Sequence, residues 1–231
     1  MIMTDYHSHI LPGMDDGAAD ADESVKMLEL LNAQGVKRVV ATPHFFAHIE
    51  KSAASFLQKR DGSKNKIPQD STLPKIVTGA EVSLEHGISE VEGIETLAIE
   101  GTKLILLEPS YYGFSDKSAE DVYCISCDHK LKPVIAHVHR YIGFYRKAEI
   151  EKLLGLDAIF QINIDAFSRF SERSLVVYLI KEGFPVVFGS DCHNIGRRPP
   201  NFDLLIKYLK KHLKDNHIIE DADNVMERYS I

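Results

Sequence analysis

The sequence predicts an α/β fold of repeated βα units, and three observations predict it. Seven short apolar runs rich in β-branched residues recur along the chain, segments of helical period separate them, and six of the seven runs end in a histidine or a carboxylate. The first run is short and reaches His7. The others are 38–42 (RVVAT), 75–78 (KIVT), 103–107 (KLILL), 133–136 (PVIA), 158–162 (AIFQI) and 184–188 (FPVVF). Residues 21–33 read as a helix because Val25, Leu28 and Leu31 recur at three-residue spacing. Residues 174–181 read as another, which stops before Gly183 at a C′ position. The segment 61–73, rich in Lys, Ser, Asp, Asn and Pro, reads as a mobile loop, yet the same rhythm resumes on both sides of it. Residues 1–231 therefore read as a single domain. Periodicity alone fits either a closed parallel barrel or a doubly wound open sheet.

Composition narrows the function classes. Of 231 residues, 44% are hydrophobic and 26% charged, as in ordinary globular proteins, which excludes disorder, collagen and coiled coil. The net charge of −7 and the absence of a basic run argue against a nucleic-acid partner. No apolar stretch approaches the roughly 20 residues that span a bilayer, and the opening MIMTDYHSHI lacks a signal-peptide pattern. The expectation is a cytoplasmic protein that is not embedded in a membrane. Three cysteines, Cys124, Cys127 and Cys192, are too few for a disulfide framework and agree with a reducing compartment.

The polar residues at the strand ends decide in favour of the barrel. The first run leads to His7 and His9, the second to His44, the third to Glu81, the fourth to Glu108, the fifth to His137 and His139, and the seventh to Asp191 and His193. In a parallel barrel all C-terminal strand ends meet at one face, so these distant residues converge on one pocket. A mixed set of imidazoles and carboxylates without cysteine suits several hard to borderline divalent ions.

The motifs DYHSHILPGMDDGA at 5–18, ATPH at 41–44, the lone Glu81 and Glu108, PVIAHVHR at 133–140 and SDCHN at 190–194 resemble the polymerase-and-histidinol-phosphatase (PHP) superfamily. The HILPGxDDGA opening is narrower and is similar to the manganese-dependent protein-tyrosine phosphatases of bacterial capsular and exopolysaccharide gene clusters, the CpsB/CapC/YwqE group. The resemblance implies a distorted seven-stranded (β/α)7 barrel of PHP type with three divalent metal ions, manganese first, with iron, zinc or magnesium as alternatives. Carried over position by position, His7, His9, Glu81 and Asp191 would hold the first ion. Glu81, bridging, with Glu108 and His137 would hold the second, and Asp16, His44 and His193 the third, with Asp15 as the alternative to Asp16. The three ions would outweigh the four carboxylates, which explains how an acidic protein can bind a phosphate dianion. Arg140 and Arg198 stand where the family grips the phosphoryl group, with Arg197 a competing neighbour.

Two departures stand out. The family's HPER is His137-Val138-His139-Arg140 here, which leaves His139 as a hydrogen-bonding neighbour, a proton donor or a bystander. Phe45 and Phe46 follow His44 and, with Tyr111 and Tyr112, are candidates for an aromatic slot or for core packing. Cys124-x-x-Cys127 falls in a helical pattern and lacks a partner pair. Cys192 and Arg198 have the spacing of a cysteine-phosphatase loop, but that loop contains His193 and one glycine, which makes a poor anion cradle. The resemblance thus implies hydrolysis of phosphotyrosine by metal-activated hydroxide on a partner protein, the tail of a bacterial tyrosine kinase that controls polysaccharide synthesis and export. Its alternatives are a small-molecule phosphatase of the histidinol-phosphate type, an exonuclease and an inactive regulatory module.

Overall fold

In a computed structural model describing residues 3–68, 70–209, 211 and 217–231, each of the seven apolar runs forms a strand, and the named strands pair only in parallel. The chain runs β1 (Met3–Ser8), α1 (Ala21–Ala33), β2 (Val36–Ala41), β3 (His44–Phe45), α2 (Ala53–Lys64), β4 (Lys75–Thr78), β5 (Glu81–Ser83) and β6 (Leu104–Glu108). It continues through α3 (Asp116–Cys127), β7 (Lys132–Ile135), α4 (Lys147–Leu154), β8 (Ile159–Asn163), α5 (Phe170–Lys181), β9 (Val186–Gly189), α6 (Phe202–Tyr208) and α7 (His217–Arg228). Side-chain oxygens of Asp20, Ser52 and Ser115 cap α1, α2 and α3 by accepting from backbone N–H groups three residues on.

The strands form two sheets, β1-β2-β4 and β3-β5-β6-β7-β8-β9, rather than one closed ladder of seven. The two extra strands have a local cause. Pro43 has no N–H to donate, so β2 is interrupted there and resumes as β3. The pairing offset is unchanged across the break: Ala41 faces Thr78 before it, and His44 faces Glu81 after it. Gly79 N donates to Ala41 O at 2.9 Å and Glu81 N to Pro43 O at 3.1 Å, so the two sheets run into each other. At the other seam Asp191 N donates to His7 O at 2.8 Å and His9 N to Cys192 O at 2.9 Å.

Alternation along the strands builds two apolar layers. Tyr6, Val40, Val77, Leu104, Leu106, Val134, Ile159 and Val187 pack together on one face of the sheets with Val225 and Met226 of α7. Val39, Ile105, Leu107, Ile135, Phe160, Ile162 and Phe188 face the other helices. The Tyr6 hydroxyl donates to Ala222 O at 2.7 Å and ties α7 to β1.

Two local expectations are corrected. The polar segment 61–73 is not loop throughout, because α2 continues to Lys64, with Ser63 buried and donating to Pro12 O at 2.7 Å; Gln69 lies outside the described residues. Helix α5 begins at Phe170, four residues before its apolar period starts, with Arg169 paired to Glu172 at 2.9 Å across its first turn. Among the described residues no helix is long and apolar enough to cross a membrane.

Candidate metal centre

The residues singled out at the strand ends come together around Glu81, which sits at the start of β5 and is 1% exposed. Its Oε2 lies 3.0 Å from His7 Nε2, 3.2 Å from His9 Nε2 and 3.1 Å from His44 Nδ1; its Oε1 lies 3.0 Å from His137 Nε2. Glu108 Oε1 stands 3.5 Å from His137 Nε2, and its Oε2 3.9 Å from His44 Nδ1. Asp191 Oδ1 is 3.5 Å from His9 Nε2 and 3.7 Å from His7 Nε2. Asp16 Oδ1 reaches His193 Nε2 at 3.3 Å and His44 Nε2 at 3.6 Å.

Three groups have ligand atoms close enough to share an ion: His7, His9 and Asp191; His44, Glu81 and Glu108; and His9, Asp16, His44 and His193. His9 and His44 thus each belong to two groups, while His137 meets the Oε1 atoms of Glu81 and Glu108.

Hydrogen bonding sets which imidazole nitrogens are free. His9 Nδ1 lies 2.6 Å from Asp15 Oδ2, and an ionised carboxylate only accepts, so the proton is on Nδ1. The same Asp15 Oδ2 accepts from His44 N at 3.0 Å, and Oδ1 from Gly17 N at 2.9 Å, so Asp15 fastens the 5–18 loop while Asp16, which is exposed, turns its carboxylate towards His44 and His193. Gly17 is required for this fit, since a Cβ there would lie 2.2 Å from His9 O. His193 Nδ1 donates to Asp191 O at 3.0 Å, which frees its Nε2.

Glu81 Oε2, His44 Nδ1 and His193 Nε2 are buried and make no hydrogen bond. Buried polar atoms left without a hydrogen-bond partner beside a carboxylate are the kind that a bound cation satisfies. Burial opposes charge on His9, yet Asp15 and Glu81 push its pKa up to about 10; burial also opposes charge on His137, which Glu108 and Glu81 push up to about 9. His193 is lowered to about 4 by burial and by the charge on His9. The residues fit divalent cations: the carboxylates favour positive charge, and the neighbouring imidazoles cannot all supply it as protons.

Backbone strain concentrates here. His137 has φ 29° and Asp191 φ 50°, two of the three non-glycine residues with positive φ among those described. Asp5, a buried residue of β1, accepts from Ser190 N at 2.8 Å, Ser190 Oγ at 2.5 Å and His7 N at 3.2 Å, and so fixes the turn that bears Asp191.

The two arginines meet at Asp191: Arg140 Nη2 is 2.7 Å from Oδ2 and Arg198 Nη2 2.8 Å from Oδ1. Against burial, His7, Arg140 and His9 hold the Asp191 carboxyl well below the usual range. Asn194 Oδ1 accepts from the backbone of Gly196, Arg197 and Arg198, which bends the loop so that Arg198 turns in while Arg197 is exposed.

A cavity of about 720 Å³ opens beside Glu108, lined by Phe46, Tyr111 and Tyr112 together with His48, Glu85 and His86. Phe45 is not part of it: β3 alternation turns Phe45 into the core, its ring centroid 5.2 Å from that of Phe56. His139 has no exposed surface and lies 3.8 Å from Asp165 and 3.9 Å from Glu172, under α5. Cys192 is fully buried, and burial raises its thiol well above the ordinary value, which keeps the sulfur protonated and away from solvent. Cys124 and Cys127 are free thiols on α3.

Sequence reasoning missed Asp5, Ser190, Gln161 and Asn163, which hold the ionisable residues rather than joining them. Strand β8, the run that ends in no ligand, was the only signal for the two amides.

Residues 3–225 match the family described as capsular polysaccharide synthesis, CpsB/CapC. The tyrosine-protein phosphatase YwqE of Bacillus subtilis is 29% identical over 215 residues, 85% of this chain and 79% of that protein. The putative tyrosine-protein phosphatase CapC of Staphylococcus aureus is 27% identical, again over 85% of this chain and 79% of its own length. Among solved structures, one described as YwqE from Bacillus subtilis and CpsB from Streptococcus pneumoniae, metal-dependent tyrosine phosphatases, superposes with a TM-score of 0.77 at 21% identity, covering 99% of this chain and 96% of that one.

Proposed function

The chain belongs to the CpsB/CapC family of capsular polysaccharide synthesis, and from that premise we propose that it hydrolyses phosphotyrosine on a protein at the cluster around Glu81. One observation carries this reading: nitrogens of His7, His9, His44 and His137 gather within 3.0–3.2 Å of the one buried carboxylate of Glu81, a mixed imidazole and carboxylate donor set that suits divalent cations. Three divalent ions, manganese first, would be held by His7, His9, Glu81 and Asp191, by Glu81, Glu108 and His137, and by Asp16, His44 and His193. When bound, such ions acidify water and neutralise phosphoryl charge.

The chain's own residues account for the remaining steps. Arg140 and Arg198 approach from the Asp191 side and bind equatorial phosphoryl oxygens, with the forked geometry that guanidinium offers. Phe46 and Tyr111 flank the cavity beside Glu108 and take the aromatic ring of the substrate. No side chain is needed as a strong acid, because a phenolate leaves readily. The cavity is open and large enough for a peptide segment around the phosphotyrosine, which favours a protein substrate over a small phosphomonoester. Its source, on this reading, is the tail of a bacterial tyrosine kinase in the cytoplasm.

We read residues 1–231 as one domain in which the two sheets make a distorted seven-stranded barrel. The unchanged register across Pro43 and the His7–Asp191 seam support that reading. The test is turnover of a phosphotyrosine peptide beside histidinol phosphate, before and after chelation and Mn²⁺ readdition. The peptide should be turned over faster, and only with metal. Preference for histidinol phosphate would assign the small-molecule activity instead.

A further inference from the structure

Strand β8 is the one apolar run that ends in no ligand, and it carries two buried primary amides. Gln161 has no exposed surface and Asn163 is 1% exposed. Burying an amide is costly unless its donors and acceptor are matched. Here a chain of hydrogen bonds links them to the site. Gln161 Oε1 accepts from His137 N at 2.7 Å and lies 3.0 Å from His7 Nδ1. Gln161 Nε2 donates to Asn163 Oδ1 at 2.9 Å, and Asn163 Nδ2 donates to Asp191 Oδ2 at 2.7 Å.

The direction of this chain is fixed at both ends. The His137 backbone N–H can only donate, and the ionised Asp191 can only accept, so neither amide can flip without loss of a bond. The oxygen of Gln161 must therefore face His7, and His7 must carry its proton on Nδ1. Its Nε2 lone pair is then aimed at the gap shared with Glu81 Oε2 and His9 Nε2, at 3.0 and 3.2 Å. Asp191 Oδ2 is occupied by Asn163 and Arg140, which leaves Oδ1 toward His9 and Arg198. The packing is built around this contact: a Cβ on Gly189 would lie 2.6 Å from His7 Cβ and 2.7 Å from Gln161 Nε2.

We propose that Gln161 is a positioning residue that sets the His7 tautomer and, through Asn163, divides the two oxygens of Asp191 between Arg140 and the ion-facing side. His9 has a carboxylate, Asp15, behind its Nδ1, whereas His7 has a neutral amide, so the two imidazoles of one His-x-His pair differ in donor strength. The proposal rests on the metal reading given above, but its first readout does not.

The test compares wild type with Gln161→Leu and Gln161→Glu. ¹⁵N-histidine spectra in alkaline buffer, in chelator and with Zn²⁺, report which His7 nitrogen bears the proton, and Mn²⁺ titration reports affinity. Wild type should carry the proton on Nδ1. Gln161→Leu should lose that preference and bind Mn²⁺ about 10- to 100-fold more weakly. Gln161→Glu still accepts from His7 and His137 but cannot donate to Asn163. It should keep the Nδ1 proton and near-normal Mn²⁺ affinity while KM for an aryl phosphate rises. An unchanged His7 tautomer with unchanged Mn²⁺ affinity in Gln161→Leu overturns the proposal. If that variant does not fold, loss of the Nδ1 proton in Gln161→Glu overturns it. Wild type that binds no Mn²⁺ yet has the Nδ1 proton would sink the metal reading alone.

Discussion

At the scale of single residues, charge and hydrogen-bond direction decide what each site group can do. His44 faces Glu81, Glu108 and Asp16 and is partly exposed, so it serves the cluster more than the core. His44→Ala should leave the fold intact while turnover falls by orders of magnitude and bound metal decreases; normal turnover with full metal content would remove it from the ligand set. Arg140 and Arg198 should each be worth about 2–4 kcal/mol in the transition state. Their lysine variants should lower kcat/KM by similar factors for p-nitrophenyl phosphate and a phosphotyrosine peptide, with metal content unchanged. A loss confined to the peptide would place that arginine on the protein-binding surface. Cys192→Ser should retain most activity, because the thiol is buried and protonated. The side chains at strand ends were legible in the sequence because ionisable residues rarely close apolar runs by chance. Gln161, Asn163 and Asp5 were not, since a buried amide or a backbone-binding carboxylate resembles any other polar residue until its partners are known. The choice between Asp15 and Asp16 likewise depended on the direction of adjacent side chains, which spacing does not specify.

At the scale of elements, the contact between β1 and α7 supplies a pH dependence separate from the site. Burial pushes the Asp223 carboxyl up from 3.8 to about 6, although it accepts from Thr4 N at 2.8 Å. The folded chain therefore holds this proton more tightly than the unfolded one, and stability present at low pH is lost as pH rises through that window. Asp223→Asn keeps an acceptor for Thr4 and removes the loss. It should exceed wild type by about 1 kcal/mol near neutral pH, after allowance for partial exposure, and match it in acid. Urea midpoints across pH measure this, and a constant difference would refute the assignment. Sequence rhythm found every long strand, yet β3 and β5 escaped it because two or three residues carry no period. The continuation of α2 escaped it as well, since Asp61, Gly62, Ser63 and Lys64 look like a turn and are held by the capped helix and the Ser63 contact.

At the scale of the whole molecule, parallel strands deliver side chains from residues 7 to 193 to one end of the sheets, while α7 covers the apolar face. The chain's charge is −7, yet the centre gathers its carboxylates in one place, and on the reading proposed above the cations held there would attract phosphate. The direct test is a paired measurement on one preparation, with metal counted per chain and turnover of a phosphotyrosine peptide followed as Mn²⁺ is removed and restored. The account predicts that activity vanishes with the metal, returns in proportion to the ions rebound, and exceeds that on histidinol phosphate. Undiminished turnover in the metal-free protein, or none in the fully loaded one, would contradict it.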